Sequence, residues 1–155
     1  MLVPLPLGWH KVNFDIAIRH SNAFYASVCR DHIGCVTHAW IDKSPPTDPL
    51  WAEVKAALHA IKSTLSIGLN HIIFEGDALN IMSPIENSAI APHWSIAFII
   101  SDINLAFLDL NFYVFSHVIR ESNYMAHALA YWTPFCKSVE ALSPLSLPMS
   151  LRRRR

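Results

Sequence analysis

Residues 68–77 read GLNHIIFEGD, in which a short apolar run is followed by a glycine and an aspartate. The run from His71 to Glu75 has the length of a buried strand. Gly68 lies where the preceding helical pattern ends, and Asp77 lies where the next helix would begin. The sequence therefore predicts helix, strand and helix in succession, with an acidic residue directly after the strand.

The helix before this strand is indicated by apolar residues at spacings of three and four. Asp48 and Pro49 provide an N-cap residue and a proline at the first helical position. One face of the helix is then formed by Trp51, Val54, Leu58, Ile61 and Leu65. Glu53 lies in the first turn, where the positive end of the helix dipole favours a carboxylate.

Nearer the N-terminus, three segments joined by short turns favour strands in an antiparallel meander: 9–18, 23–30 and 35–41. In the first of them Val12 and Phe14 alternate with polar residues, as on a half-buried strand that carries Asp15.

Four further elements are expected, namely helices at 78–86 and 93–107, a strand at 111–118 and a closing helix at 122–132 that Ser122 opens. This order predicts an α/β fold with one five-stranded mixed sheet. Three strands are antiparallel, two more are parallel additions, and helices pack on both faces.

Composition favours one domain with a real core, since 52% of the 155 residues are apolar and the mean hydropathy is +0.27. We expect an N-terminal extension at 1–8, the domain at 9–132 and a flexible tail with a basic end at 133–155. The most apolar stretch, residues 95–115, is interrupted by acids and amides, which argues against a membrane span. Residues 1–7 contain prolines and no basic residue, which argues against a secretory signal. We therefore expect an intracellular protein, in the nucleus or cytoplasm and not secreted. The sequence does not determine the oligomeric state, and a monomer is the default.

The charge distribution restricts the modes of nucleic-acid binding. The last four residues are arginines. The rest of the chain therefore has eight Lys and Arg against twelve Asp and Glu, which gives it a formal charge of −4. Affinity for nucleic acid must then come from a local groove, a bound metal or the basic tail. The alternative for the tail is a solvated, disordered terminus. Cys29, Cys35 and Cys136 form no CxxC pair, so reduced thiols are expected and a zinc site is not.

Asp15, Glu53 and Asp77 lie on three different elements and meet only if the chain folds to bring them together. Each has an ordinary explanation by itself: the end of a strand, a helix dipole and an N-cap. Converging carboxylates repel each other unless a divalent cation neutralises them. Taken jointly, the three acids indicate a metal-dependent nuclease site.

Five sequence segments, in order, resemble those of the ribonuclease H fold. The match is nearest to the plant-type, reverse-transcriptase-like ribonuclease H domains that are related to retroelements. It covers about residues 9–132 and rests on segments 11–15, 30–34, 51–58, 68–77 and 117–130.

The resemblance implies that Asp15, Glu53 and Asp77 are catalytic residues that bind two ions of Mg²⁺, or of Mn²⁺. Phosphodiester cleavage needs an activated water and stabilisation of the leaving 3′ oxygen, and carboxylates are the ligands Mg²⁺ prefers. The implied activity is hydrolysis of the RNA strand of RNA–DNA hybrids, with the hybrid or another nucleic acid as partner. The alternative is a weak or inactive ribonuclease H-like module that binds nucleic acid or a protein.

The resemblance also assigns roles to residues outside the triad. His117 is a candidate proton shuttle, with a half-buried histidine that caps the last strand as the alternative. Asn13, Arg120 and Asn123 are candidates for nucleic-acid contacts. A structural hydrogen bond is the alternative for Asn13, and a solvated turn is the alternative for Arg120.

Four positions depart from the family pattern. His127 replaces the usual fourth acid and is a candidate metal ligand better suited to Mn²⁺ than to Mg²⁺, and we expect it on the groove side of the closing helix. Ile16 replaces a small residue. Phe24 and Tyr25 occupy a strand that is usually rich in glycine, where bulky side chains are expected to hinder close approach of RNA.

Overall fold

A computed structural model describes residues 5–19, 22–135, 141–142 and 147. Its strands and helices are β1 His10–Arg19, β2 Asn22–Arg30, β3 Val36–Ser44, α1 Pro49–Ser66, β4 His71–Gly76, α2 Leu79–Glu86, α3 Ala97–Phe107, β5 Phe112–His117, α4 Tyr124–Trp132 and β6 Ala141–Leu142. Short 3₁₀ turns precede α3 and α4 and follow α4, at Trp94–Ile96, Arg120–Asn123 and Thr133–Phe135.

The strands form one mixed sheet in the order β5-β4-β1-β2-β3-β6. β1, β2 and β3 pair antiparallel, while β4 is parallel to β1 and β5 is parallel to β4. This confirms the predicted α/β class and the five-stranded mixed arrangement. β6 adds a sixth, two-residue strand beside β3 that the sequence analysis did not predict, because two residues are too few to show a periodicity.

The two faces of the sheet carry separate apolar cores, and helices cover both, as predicted. α1 contacts β1, β2 and α3, so these helices share one face, whereas α4 contacts β1 and β2 from the other face. The first core includes Val12, Phe14 and Phe74, and the second includes Val28 and Leu129. In the described part of the chain, no helix is both long enough and apolar enough to cross a membrane.

Residues beyond position 132, assigned above to the tail, contribute to the fold. Thr133 is buried, and Leu142 and Leu147 pack into the core beneath α4. Of the predicted terminal extensions, residues 1–4 and the basic end at 152–155 lie outside the described residues.

The end of α1 sets the direction of the chain into β4. Gly68 has a φ of 78°, and its N–H donates to the carbonyl of Leu65 while the N–H of Leu69 donates to that of Thr64. This is the Schellman pattern, which glycine favours because it adopts positive φ without steric cost. At the other end of α1, Asp48 holds the N-cap position and Pro49 begins the helix, but the Asp48 side chain makes no capping bond.

Candidate metal centre

Three carboxylates converge beside the sheet. Asp15 lies on β1, Glu53 in the second turn of α1 and Asp77 directly after β4, and one oxygen from each lies within 4.8 Å of the others. Because α1 begins at Pro49, the prediction that Glu53 lies in the first turn of the helix is wrong by one turn. The sheet register explains part of this convergence. Asn13 is paired with Glu75 in the parallel β1–β4 ladder, so Asp15 and Asp77 each follow that pair by two residues. The clustering predicted for the three acids is confirmed.

The cluster is poor in compensating positive charge. Burial raises the pKa of Asp15, and repulsion from Asp77 raises it further, while hydrogen bonds from the Ile16 N–H and from His127 oppose the shift. Burial, followed by repulsion from Asp15 and Asp77, raises the pKa of Glu53 to about 8, against a smaller lowering by Arg120. Three hard oxygen donors that are costly to ionise together suit a divalent cation.

Side chains of both polarities surround the acids in an open cleft. Its lining consists of Asp15, Ile16, Ile18, Glu53, Asp77, Ala78 and Arg120. Arg120 is the only Lys or Arg in this set, and its charge acts on Glu53. The sequence analysis did not single out Ile18, because an apolar residue alternating along a strand gives no signal beyond burial.

His127 reaches the cluster through a carboxylate. Its Nδ1 lies 2.9 Å from Oδ2 of Asp15, while Met125 and Leu129 of the same helix are buried in the core. His127 therefore faces the groove that contains the acids, as predicted. The ring contacts Asp15 and is not a member of the three-residue cluster, so its assignment as a metal ligand stays a prediction.

His117 lies at the end of β5 next to the third acid. Its Nε2 is 3.2 Å from the carbonyl oxygen of Asp77, and its backbone N–H donates to the carboxylate of Glu86. The fold thus brings His117 beside the three acids. Its role in proton transfer stays a prediction.

The two candidate asparagines form a buried hydrogen-bond network. Asn13 accepts from Arg30 at 3.0 Å, and its amide donates to Glu75 at 3.2 Å and to Asn123 at 3.1 Å. The amide of Asn123 donates to the carbonyl of Phe14 at 2.9 Å. Both asparagines are buried. The geometry favours the structural alternative for Asn13 and gives Asn123 the same role, since a buried amide that is already bonded has little to offer a ligand.

Phe24 and Tyr25 do not project towards a ligand. Both are buried, and Tyr25 packs in the α1-side core. The expectation that these rings hinder the approach of RNA is wrong, because the neighbouring strands and helices bury both rings. Ile16 does lie in the cleft, beside the acids.

Comparison with known proteins agrees with this architecture. The chain matches the profile of a family described as reverse transcriptase-like over residues 13–133. The structure of RNase H1 from Halobacterium salinarum has a TM-score of 0.75 at 19% identity, covering 82% of this chain and 98% of that one. A second similar structure is LC11-RNase H1, isolated from compost by a metagenomic approach, in complex with an RNA/DNA hybrid. Its TM-score is 0.69 at 18% identity, and the match covers 77% of this chain and 92% of that one.

A viral structure has the same fold within a larger chain. The foamy viral protease-reverse transcriptase in complex with an RNA/DNA hybrid has a TM-score of 0.59 at 14% identity, covering 84% of this chain and 20% of that one. A comparison with curated protein sequences found no match. At these identities the structural similarity shows a ribonuclease H fold.

Proposed function

The chain belongs to the reverse transcriptase-like family, and on that premise we propose that it is a metal-dependent endoribonuclease that cuts the RNA strand of RNA–DNA hybrids. The observation that carries the proposal is the convergence of Asp15, Glu53 and Asp77 from three elements. Two solved structures of the same fold hold an RNA/DNA hybrid, which supports this class of substrate.

Asp15, Glu53 and Asp77 would hold two Mg²⁺ or Mn²⁺ ions. When bound, the ions supply an activated water and stabilise charge on the leaving 3′ oxygen, which yields 5′-phosphate and 3′-hydroxyl ends. The chain's own residues do the rest. Arg120 attracts the phosphate backbone to the cleft, His127 orients the Asp15 carboxylate, and His117 beside Asp77 transfers a proton near neutral pH.

The test is cleavage of a labelled hybrid by the purified chain in EDTA, in Mg²⁺ and in Mn²⁺. We expect cleavage with either metal, none in EDTA, and a loss of about a thousandfold or more in Asp15→Asn, because an amide is a weak ligand for hard cations. Asp102→Asn, which changes an exposed acid on α3, is the matched control and should cleave like the wild type. Near-wild-type cleavage by Asp15→Asn would reject the proposed site.

A second candidate is a catalytically weak or inactive module that binds hybrid without cutting it. The hydrogen bond between His127 and Asp15 favours it, because that carboxylate is partly engaged before any metal arrives. Hybrid binding measured by fluorescence anisotropy, without cleavage in either metal, would select this candidate. If the wild-type chain neither binds nor cuts a hybrid, both functions are excluded.

The finer classification is also part of the proposal. The histidine at position 127 supports a place in the plant-type, retroelement-related branch, where a histidine is common at this position. A hybrid substrate would place the protein inside the cell, in the nucleus or cytoplasm.

A further inference from the structure

β5 lies at one edge of the sheet and directs backbone groups outward. β4 pairs with one side of it, and no strand of the described residues pairs with the other. The N–H of Phe112 donates to Asn70 and that of Val118 donates to Gly76. Because backbone groups alternate in direction along a strand, the even-numbered residues face β4. Tyr113 and Phe115 therefore point both N–H and C=O away from the sheet.

The row of unpaired backbone groups on the outer side of β5 ends at His117. The N–H of His117 is the next outward donor, and the carboxylate of Glu86 at the end of α2 accepts it. Glu86 thus blocks strand pairing at His117. Between Phe112 and Ser116, the outward groups are the N–H and C=O of Tyr113 and of Phe115, two donors and two acceptors arranged symmetrically about Val114.

The side chains along this edge are apolar and uncharged. Phe112, Tyr113 and Val114 are 60%, 44% and 47% exposed, and residues 111–119 contain no Asp, Glu, Lys or Arg. Folded proteins usually protect edge strands with charge, proline or a covering element. A long, neutral, apolar edge without these protections is a template for pairing with another strand.

Exposed leucines from α3 extend the apolar surface. The ring of Phe107 stacks on Tyr113 with 4.0 Å between centroids, so the last turn of α3 lies against β5. Leu105 and Leu108 of that turn are 63% and 79% exposed. With the aromatic and valine side chains of β5, they offer on the order of 600 Å² of apolar surface. Because these side chains lie on both faces of the sheet, pairing at the edge buries only the part that faces the partner, so the expected interface is smaller than about 1,200 Å² and the association is weak and reversible.

We propose that β5 pairs antiparallel with β5 of a second copy of this chain, about a two-fold axis at Val114. In this register Tyr113 of each copy faces Phe115 of the other, so four N–H···O bonds use all the outward groups. Val114 faces Val114, and Phe112 lies diagonal to it on the same sheet face. A second copy fits this edge because the outward groups of Tyr113 and Phe115 are two-fold symmetric about Val114, and residues 111–119 carry no Asp, Glu, Lys or Arg that would repel a second copy. The interface is independent of the nuclease function.

The test is the sedimentation behaviour of the wild type between roughly 10 and 300 µM, compared with charge variants at the axis. We expect a reversible wild-type dimer of micromolar affinity. Val114→Lys and Val114→Glu each place two like charges directly opposite and should weaken association at least tenfold. An equimolar mixture of the two variants should restore the dimer, because opposite charges then meet. Ile33→Lys, which removes an exposed isoleucine from the β2–β3 turn, is the control and should dimerise like the wild type.

Amide hydrogen exchange of the wild type gives a second measurement that does not depend on any variant folding. The amides of Tyr113 and Phe115 should become protected as protein concentration rises, while that of Ile33 should not. A wild type that is monomeric throughout the range, dimeric single variants, or a mixture that fails to restore the dimer would each overturn the proposal. In the first case, the edge would be left to a strand from another protein.

Discussion

At the scale of single residues, Glu53 is the acid whose negative charge the metal-free fold stabilises least. Burial and two neighbouring carboxylates raise its pKa to about 8, whereas the ordinary value is 4.5. The folded chain therefore binds this proton more tightly than the unfolded chain does. The free energy of unfolding must therefore fall as pH rises from about 4.5 to about 8, because Glu53 loses its proton more readily in the unfolded chain than in the folded one.

This cost predicts a stabilising substitution. In EDTA at pH 8, Glu53→Gln should be more stable to urea than the wild type by at least about 1 kcal/mol, because a glutamine carries no charge to bury. At pH 4.5 the two proteins should differ much less. Glu121→Gln, in the exposed turn before α4, is the control and should show no such pH dependence. If the difference in free energy of unfolding between Glu53→Gln and the wild type were the same at pH 4.5 and pH 8, the raised pKa of Glu53 would be contradicted.

His127 sets a second prediction, because its Nδ1 lies 2.9 Å from Asp15. His127→Asp supplies a hard oxygen ligand and should lower the Mg²⁺ concentration needed for half-maximal cleavage by roughly tenfold. The wild type should prefer Mn²⁺, because an imidazole nitrogen is a better ligand for Mn²⁺ than for Mg²⁺.

His127→Asn is the control for His127→Asp, because it removes the imidazole without adding charge. It should gain nothing in Mg²⁺. Identical dependence of cleavage on Mg²⁺ and on Mn²⁺ for the wild type and His127→Asp would show that this side chain does not tune the site.

At the scale of elements, Asn123 attaches the segment before α4 to the middle of β1. Its amide bonds to the Phe14 carbonyl and its oxygen accepts from Asn13, in the strand that carries Asp15. This attachment positions α4, and with it His127, relative to the first acid. A residue first taken as a nucleic-acid contact thus acts as a link between two elements of the site.

Removing this link should cost stability. Asn123→Ala removes the side-chain donor to the Phe14 carbonyl and one of the two acceptors of the buried Asn13 amide, which should lower the free energy of unfolding by about 2 kcal/mol. Asn104→Ala, on the exposed face of α3, should change it by less than about 0.5 kcal/mol. Equal urea midpoints for Asn123→Ala and the wild type would show that water or other groups replace the lost bonds.

The elements differ in how far sequence predicts them. β1, β2, β4 and α1 have strong periodicity or clear end signals, and their observed bounds lie within three residues of those expected. The helix expected at 93–107 and the one at 122–132 each begin with a 3₁₀ turn instead. Periodicity does not separate these two helix types over a single turn.

The site could be predicted as a set of residues, whereas its contacts could not. Motif order was enough to name Asp15, Glu53 and Asp77, which the structure brings together. The burial of Phe24 and Asn123 depends on contacts between elements that are distant in sequence, and no local pattern encodes such contacts. Aromatic and amide residues are found both in cores and in binding sites, so their type alone did not decide between the two.

At the scale of the whole molecule, the carboxylate cluster lies where the two faces of the sheet become accessible together. β4 pairs with β1 only from His10 to Asn13, so the edge of β1 beyond Asn13 is open on that side. Glu53 arrives from α1 on one face and His127 from α4 on the other. Both reach Asp15 through this gap, which is why a residue on a central strand can serve a surface cleft.

This arrangement exists only in the folded chain, so metal binding must be linked to global stability. At about one hundred times the dissociation constant, free Mg²⁺ should add about 2.7 kcal/mol to the free energy of unfolding. For a chain of this size that corresponds to a rise in Tm of roughly 5 to 11 °C, measured by calorimetry.

Asp15→Asn should lose most of this rise and Asp102→Asn should keep it, with KCl at matched ionic strength as the control for screening. If Mg²⁺ raised the Tm of wild type and Asp15→Asn equally, the stabilising ion would be bound elsewhere. The carboxylate cluster would then owe its convergence to the fold alone.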